Sequence, residues 1–208
     1  QGRLDEAGSL TLDVWDAKLA ATGTEVTERR EALVAKLLPE VERAYEILAG
    51  RAVPIGADYI RSWVDPSPPA ASTPGSGRGS LAEALAAERG TDLRRGVTSV
   101  GPHRDELALR LDGLSARTEA SQGEQRTLAL ALRLAGHLLV TGVLGEAPLL
   151  LLDDVLSELD PDRSTALLGN LPPGQTVITS ASDLPPKTDP DRLLTFGPDG
   201  ELRLDDGA

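Results

Sequence analysis

Residues 149–160 constrain the fold of this chain more than any other stretch. Leu149-Leu150-Leu151-Leu152 run straight into Asp153-Asp154, and Val155-Leu156-Ser157-Glu158-Leu159-Asp160 follow. A short continuous apolar run without alternation is the pattern of a strand covered on both faces, as parallel strands are. Carboxylate oxygens at the end of such a strand are ligands for a hard cation such as Mg²⁺. The spacing predicts a buried parallel strand over 148–153 that ends at a metal site.

The 208 residues can bury a substantial core in one or two domains. No run reaches about 18 consecutive apolar residues, so no membrane span is expected, and no secretory signal opens the sequence. There is no Cys, which removes disulfides and thiolate metal sites and fits a reducing cytoplasm. There is also no Met, and the first residue is Gln1, so the chain is expected to be a fragment or processed product lacking an N-terminal part. The net charge of −12 works against sequence-independent DNA binding, which depends on neutralising phosphates. That charge is uneven, with seven acids against three bases in residues 183–208, and a basic surface can coexist with an acidic total.

Leu33, Leu37, Val41, Ala44, Ile47 and Leu48 recur at helical spacing. They predict a helix over about 25–49, capped by Thr24 or Thr27, broken or kinked at Pro39 and stopped at Gly50. Residues 10–15 alternate weakly and fit a strand or the end of a helix. Residues 53–63 read as a strand. Residues 65–79 are rich in Pro, Ser, Gly and Ala and predict a flexible loop. The glycines at 75, 77 and 79 have no Lys and no preceding apolar strand, so they do not make a phosphate loop. Ser80 caps a short helix over 81–89. Residues 106–111 alternate as a strand that turns at Asp112-Gly113. A long Leu- and Ala-rich helix follows over 121–140. After the buried strand comes a helix over 161–168, with Asp160 as N-cap and Pro161 in its first turn. A second buried strand over 175–179 and a hairpin over 192–204 complete the chain. Trp15 and Trp63 are expected to pack, and His137 to be a satisfied helical histidine. Five aromatic residues give little support for stacking on single-stranded nucleic acid.

Ser121-Gln122-Gly123-Glu124-Gln125 opens the long helix. A helix N-terminus presents unpaired N–H groups and a partial positive charge, which attract anions. A Ser hydroxyl, and a Gly that admits close backbone approach, would complete a phosphate clamp. The same residues also fit an ordinary capping box of Ser121 with Glu124. The pair Asp153-Asp154 can likewise simply close a strand. Further upstream, Val100-Gly101-Pro102-His103-Arg104-Asp105-Glu106-Leu107 is a turn leading into a strand. Its His103 and Arg104 are either phosphate or interface contacts, or solvated turn charges.

The segment 121–125, the paired acids and the Ser157-x-Leu159-Asp160 that follows them resemble the signature motif, Walker B strand and D-loop of ABC-type ATPases. Gly101-Pro102-His103-Arg104-Asp105, Arg117, Arg126-Thr127 and the double Asp resemble one branch, the RecF family of bacterial recombination-repair ATPases. The resemblance covers most of the chain, with loop 65–79 and the tail beyond about 185 uninformative. It implies an α/β fold, the C-terminal portion of a P-loop ABC-type ATPase head with a mixed helical and antiparallel-strand second lobe. Residues 1–144 would be that second lobe, including loop 65–79 and the signature helix 121–140. Residues 145–208 would complete the ATP-binding lobe.

The resemblance also implies ATP and Mg²⁺ as cofactors. Asp153 would hold the metal, and Asp154 occupies the position of the catalytic base. Ser121, Gln122, Gly123, Glu124 and Gln125 would reach the γ-phosphate held by the opposite protomer. Ser157 and Asp160 would cross the dimer interface, and Ser180 stands where many ABC ATPases carry a switch His. Asp154 replaces the usual Glu and is shorter by about 1.5 Å, which predicts slow hydrolysis or a base acting through an extra water. No GxxxxGK[ST] loop is present, so these residues alone are expected not to hydrolyse ATP. The implied function is an ATP-dependent homodimer gripping DNA at duplex and single-strand gap junctions. RecO- and RecR-type partners and RecA loading follow from the same resemblance, in DNA repair, recombination, replication and the SOS response. Arg104 is the candidate DNA contact, beside Arg94, Arg95 and Arg117. Two other classes stay open, a transporter ATPase subunit and a non-enzymatic partner-binding module. The double Asp, the missing switch His and the Gly101–Asp105 motif count against the transporter.

Overall fold

The computed structural model describes residues 6–64, 79–181, 183–186, 188–197 and 199–206. Nearly all of the expected flexible loop 65–79 lies outside the described residues. The chain divides into two compact units, Gln1–Glu42 with Val53–Ser121, and Arg43–Ala52 with Gln122–Ala208. The long helix after Ser121 belongs to the second of these, whereas the sequence reading grouped it with residues 1–144.

Helix α1 (Glu6–Ala49) is far longer than the periodicity of its second half suggested. Residues 10–15 lie within it and are not a strand. Thr27 is no cap: it sits mid-helix, fully buried, and its hydroxyl donates to Asp105 Oδ2 at 3.2 Å. Pro39 lies inside the helix without ending it. A missing N–H costs about 3 kcal/mol in a helix interior, and burial of Val41, Ala44, Tyr45 and Leu48 just beyond it offsets that cost. Gly50, at φ +67°, supplies the left-handed residue after the helix end.

In the first unit, β1 (Ile55–Ile60) pairs antiparallel with β2 (Glu106–Leu111), from Ile55 opposite Leu111 to Ile60 opposite Glu106. β3 (Leu114–Ser115) extends the sheet across a turn whose central residues, Asp112 and Gly113, both have positive φ. That is the hairpin geometry favoured by Asp-Gly. Helix α2 (Leu81–Arg95) opens with a complete capping box between Ser80 and Glu83 and runs beyond the expected stop to Gly96, in the left-handed conformation. It buries Leu81 and Leu85, and Arg89 ties it to α1 through Asp13 and Asp16. Trp15 does not pack in the core: it is 61% exposed, with the Lys18 ammonium 5.2 Å from its ring centre.

The second unit is built on α3 (Gln122–Leu144), which buries Thr127, Leu128, Leu130, Ala131, Leu134 and Ala135. By length and composition α3 is apolar enough to cross a membrane. Its buried residues make it a wall of the unit's core instead, alongside Leu150, Leu152, Leu156 and Leu167. β4 (Leu150–Leu152) pairs in parallel with β5 (Thr176–Ile178). The expected two-sided burial is not met among the described residues. Leu150 and Leu152 are 8% and 7% exposed, while Leu151 is 66% exposed and its neighbour Val177 43%. A continuous aliphatic run does not tell how many faces are covered. A 3₁₀ turn (Val155–Glu158) leads to α4 (Pro161–Gly169), and β6 (Arg192–Phe196) and β7 (Leu202–Asp206) form the antiparallel hairpin. His137 is helical and bonds through Nε2 to the Pro148 carbonyl at 2.8 Å, leaving a buried Nδ1 without a partner among the described residues.

Candidate nucleotide site

The end of β4 is held by one residue of the neighbouring strand. The parallel ladder runs on past β5: Thr179 N donates to Leu152 O at 3.0 Å, and Asp154 N to Thr179 O at 3.1 Å. The Thr179 hydroxyl donates to Asp153 Oδ1 at 2.5 Å and accepts from Asp154 N at 2.9 Å. One side chain thus fixes the first acid and the backbone of the second. Asp153 is exposed, and its Oδ2 has no partner among the described residues. An open carboxylate oxygen at a strand end suits a hard cation. No group of three acidic, His or Cys side chains able to hold a metal by themselves occurs among the described residues. Asp153 therefore suits a hard cation as a single ligand and not as part of a complete protein site among the described residues.

Asp154 turns the chain. Its φ of +47° and ψ of +27° lie in the left-handed region, which Asp and Asn enter more readily than Glu. This gives a local reason for Asp at a position where the wider ABC-type resemblance implies Glu. The following 3₁₀ turn is closed by the Ser157 hydroxyl donating to Asp154 O at 2.9 Å. Asp160 caps α4, with Oδ1 accepting from Arg163 N at 2.9 Å, and Pro161 takes the first helical position. Asp153 and Asp154 thus sit at the end of β4 beside Thr179, Ser157 is bonded back to Asp154, and the half-buried Ser180 follows Thr179 in sequence.

The segment 121–125 forms the start of α3. Thr127 is fully buried and returns its hydroxyl to Gly123 O at 2.7 Å. Glu124 accepts from Arg51 at 3.1 Å, and the buried Tyr45 lies beside it. Burial first, and the Glu124 carboxylate second, push the Tyr45 phenol above its usual range, while Arg51 and Arg163 pull the other way. A Cβ at Gly123 would stand 2.9 Å from Nη1 of Arg163, so the glycine leaves room for that guanidinium.

Arg104 belongs to the first unit and is exposed. Its motif is a structural knot. Asp105 accepts from Tyr59 OH (2.8 Å), Ser62 N (2.9 Å) and Thr27 Oγ1 (3.2 Å). Arg30 donates to Pro102 O at 2.6 Å and to Tyr59 OH at 3.2 Å, and the Ser62 hydroxyl bridges both backbone groups of Gly101. Gly101 has φ +129°, which only glycine adopts freely. His103 bonds to the Thr98 carbonyl at 3.0 Å. Sequence reasoning missed Thr179, Arg163 and Asp105. Asp105 stood inside a motif already singled out, and Thr179 directly precedes Ser180. Nothing local to Arg163 marked it.

A parallel strand ending in two acids, a D-loop-like turn and a glycine-bearing helix start define part of an ABC-type ATPase head. No family model matches the chain. Three proteins called DNA replication and repair protein RecF are similar to it. That of Frankia alni is 43% identical over 173 residues, 83% of this chain and 46% of the relative. That of Streptomyces avermitilis is 44% identical over 172 residues (83% and 45%), and that of Synechocystis sp. 41% over 180 (85% and 45%). A solved structure of the recombination mediator protein RecF with ATP, in the RecFOR pathway, superposes with a TM-score of 0.74 at 26% identity, over 98% of this chain and 52% of that one. A second RecF structure, described with ATPrS, gives 0.70 at 26% identity, over 93% and 50%. Over these residues the chain is similar to RecF proteins, and it spans about half the length of the curated relatives it matches.

Proposed function

We propose that this chain is the signature, Walker B and D-loop portion of a RecF-type ATPase acting in recombinational DNA repair and replication. The observation that carries the reading is the Thr179 hydroxyl, which sets Asp153 and the backbone of Asp154 together at the end of β4. In the whole protein, a Walker A loop outside these 208 residues would grip ATP. Asp153 would hold Mg²⁺, which neutralises charge on the β- and γ-phosphates. Asp154 would accept the proton of the attacking water. Ser121, Gln122, Gly123, Glu124 and Gln125 of one protomer would close over the γ-phosphate bound by the other, using the N-terminal field of α3. Ser157, Asp160 and Ser180 would line the same interface. The Ser157 hydroxyl is already engaged with its own loop, which supports a shaping role for it.

The dimer would bind duplex DNA beside single-strand gaps in the cytoplasm, with Arg104 among its contacts, and act with RecO- and RecR-type partners to help load RecA. The acidic total of −12 calls for that contact to be local. The test is ATP hydrolysis by the native-length protein with and without gapped duplex DNA. DNA stimulation supports the repair reading. Hydrolysis indifferent to DNA would redirect it to another ABC-type role, and its complete absence to a binding module.

A further inference from the structure

We infer that Arg163 is a positioning residue that locks the Asp160 corner to the first turn of α3, so that the two segments expected to face the partner's nucleotide close as one piece. The inference rests on the function proposed above. Arg163 engages both oxygens of Asp160. Its backbone N–H donates to Oδ1 at 2.9 Å, and its Nε lies 3.5 Å from Oδ2. The same guanidinium lies beside Gly123, where an added Cβ would stand 2.9 Å from Nη1 and push it aside. Its side chain is 27% exposed, so most of it is covered against the protein. Arg126 and Glu158, 3.9 Å apart and both well exposed, make a second and weaker link between the same two segments. A planar fork that stays charged suits this bridge, and a Lys at 163 cannot occupy both ends at once.

Nucleotide would be gripped elsewhere, so loss of the bridge should leave ATP affinity intact and slow the step that needs a closed dimer. The experiment compares native-length wild type, Arg163→Ala and Arg163→Lys for thermal midpoint, ATP affinity, kcat and ATP-dependent dimerisation. Arg163→Ala should bind ATP within about twofold of wild type. Its kcat and dimerisation should fall about tenfold, equivalent to about 1.4 kcal/mol. Millimolar guanidinium should restore part of the rate in Arg163→Ala and none in wild type, which a general loss of folding would not do. Arg163→Lys should recover little. An active wild type with an equally active Arg163→Ala overturns the positioning role alone. So does a loss that falls on ATP affinity, or one that follows the thermal midpoint without guanidinium rescue. A native-length wild type that neither hydrolyses ATP nor dimerises with it overturns the proposed function and this inference together.

Discussion

Removing the Asp105 carboxylate should unravel the first unit more than any other single surface-proximal change. Three donors converge on it: Tyr59 OH at 2.8 Å, Ser62 N at 2.9 Å and Thr27 Oγ1 at 3.2 Å. Hydrogen bonds to a charged acceptor contribute about 1.5–3 kcal/mol each, and a buried donor left unpaired costs about 1–3 kcal/mol. Thr27 is fully buried, and Arg30, itself a donor to the Tyr59 hydroxyl, cannot accept the Tyr59 proton in place of Asp105. The three bonds share one acceptor and are not additive. A loss of about 3–5 kcal/mol for Asp105→Ala follows, against a total of about 5–15 kcal/mol for a typical domain. Asp105→Asn keeps one acceptor oxygen and should lose about half as much. Urea unfolding followed by tryptophan fluorescence is the assay, because both Trp15 and Trp63 lie in the first unit. A loss below about 1 kcal/mol for Asp105→Ala, or an Asn variant as damaged as the Ala variant, would refute the knot.

Two further outcomes follow from single residues. Burial raises the Tyr45 pKa in the folded state, so the folded chain keeps that proton after the unfolded chain begins to lose it near pH 10. Stability from this group is therefore complete below about pH 10 and lost as pH rises toward the folded pKa; Tyr45→Phe should reduce the alkaline loss in a pH series of urea midpoints. Ser80→Ala removes one half of the capping box on α2 and should cost about 1 kcal/mol, read as faster amide exchange in the first turn of that helix.

Elements with local chemistry were legible in the sequence. The Ser80 box, the Asp112-Gly113 turn, the Asp160-Pro161 start of α4 and the acid-terminated strand each carry their instruction within a few residues. What escaped was set by distant partners. Thr27 looked like a helix start because a Thr ahead of an apolar run is a good cap. Asp105, 78 positions away, gives its hydroxyl a buried acceptor inside the helix instead. Pro39 looked like a stop because its local cost is large, but packing on its C-terminal side outweighs that cost. The acids at 153 and 154 were visible as a pair; that Thr179 holds them was not, since parallel pairing of β4 with β5 is needed to bring it there. Arg163 was hidden for the same reason, its partner Gly123 being 40 residues upstream.

The role proposed for Asp154 is to activate the attacking water. The decisive measurement is ATP binding, ATP-dependent dimerisation and hydrolysis by native-length Asp154→Asn, a near-isosteric change that also tolerates the left-handed backbone at this position. Nucleotide affinity and ATP-induced dimerisation should persist, while hydrolysis falls by about 10²–10⁴-fold, the usual contribution of a general base. Hydrolysis at the wild-type rate would contradict that role, and loss of ATP binding together with hydrolysis would place Asp154 in the grip on nucleotide rather than in the chemistry.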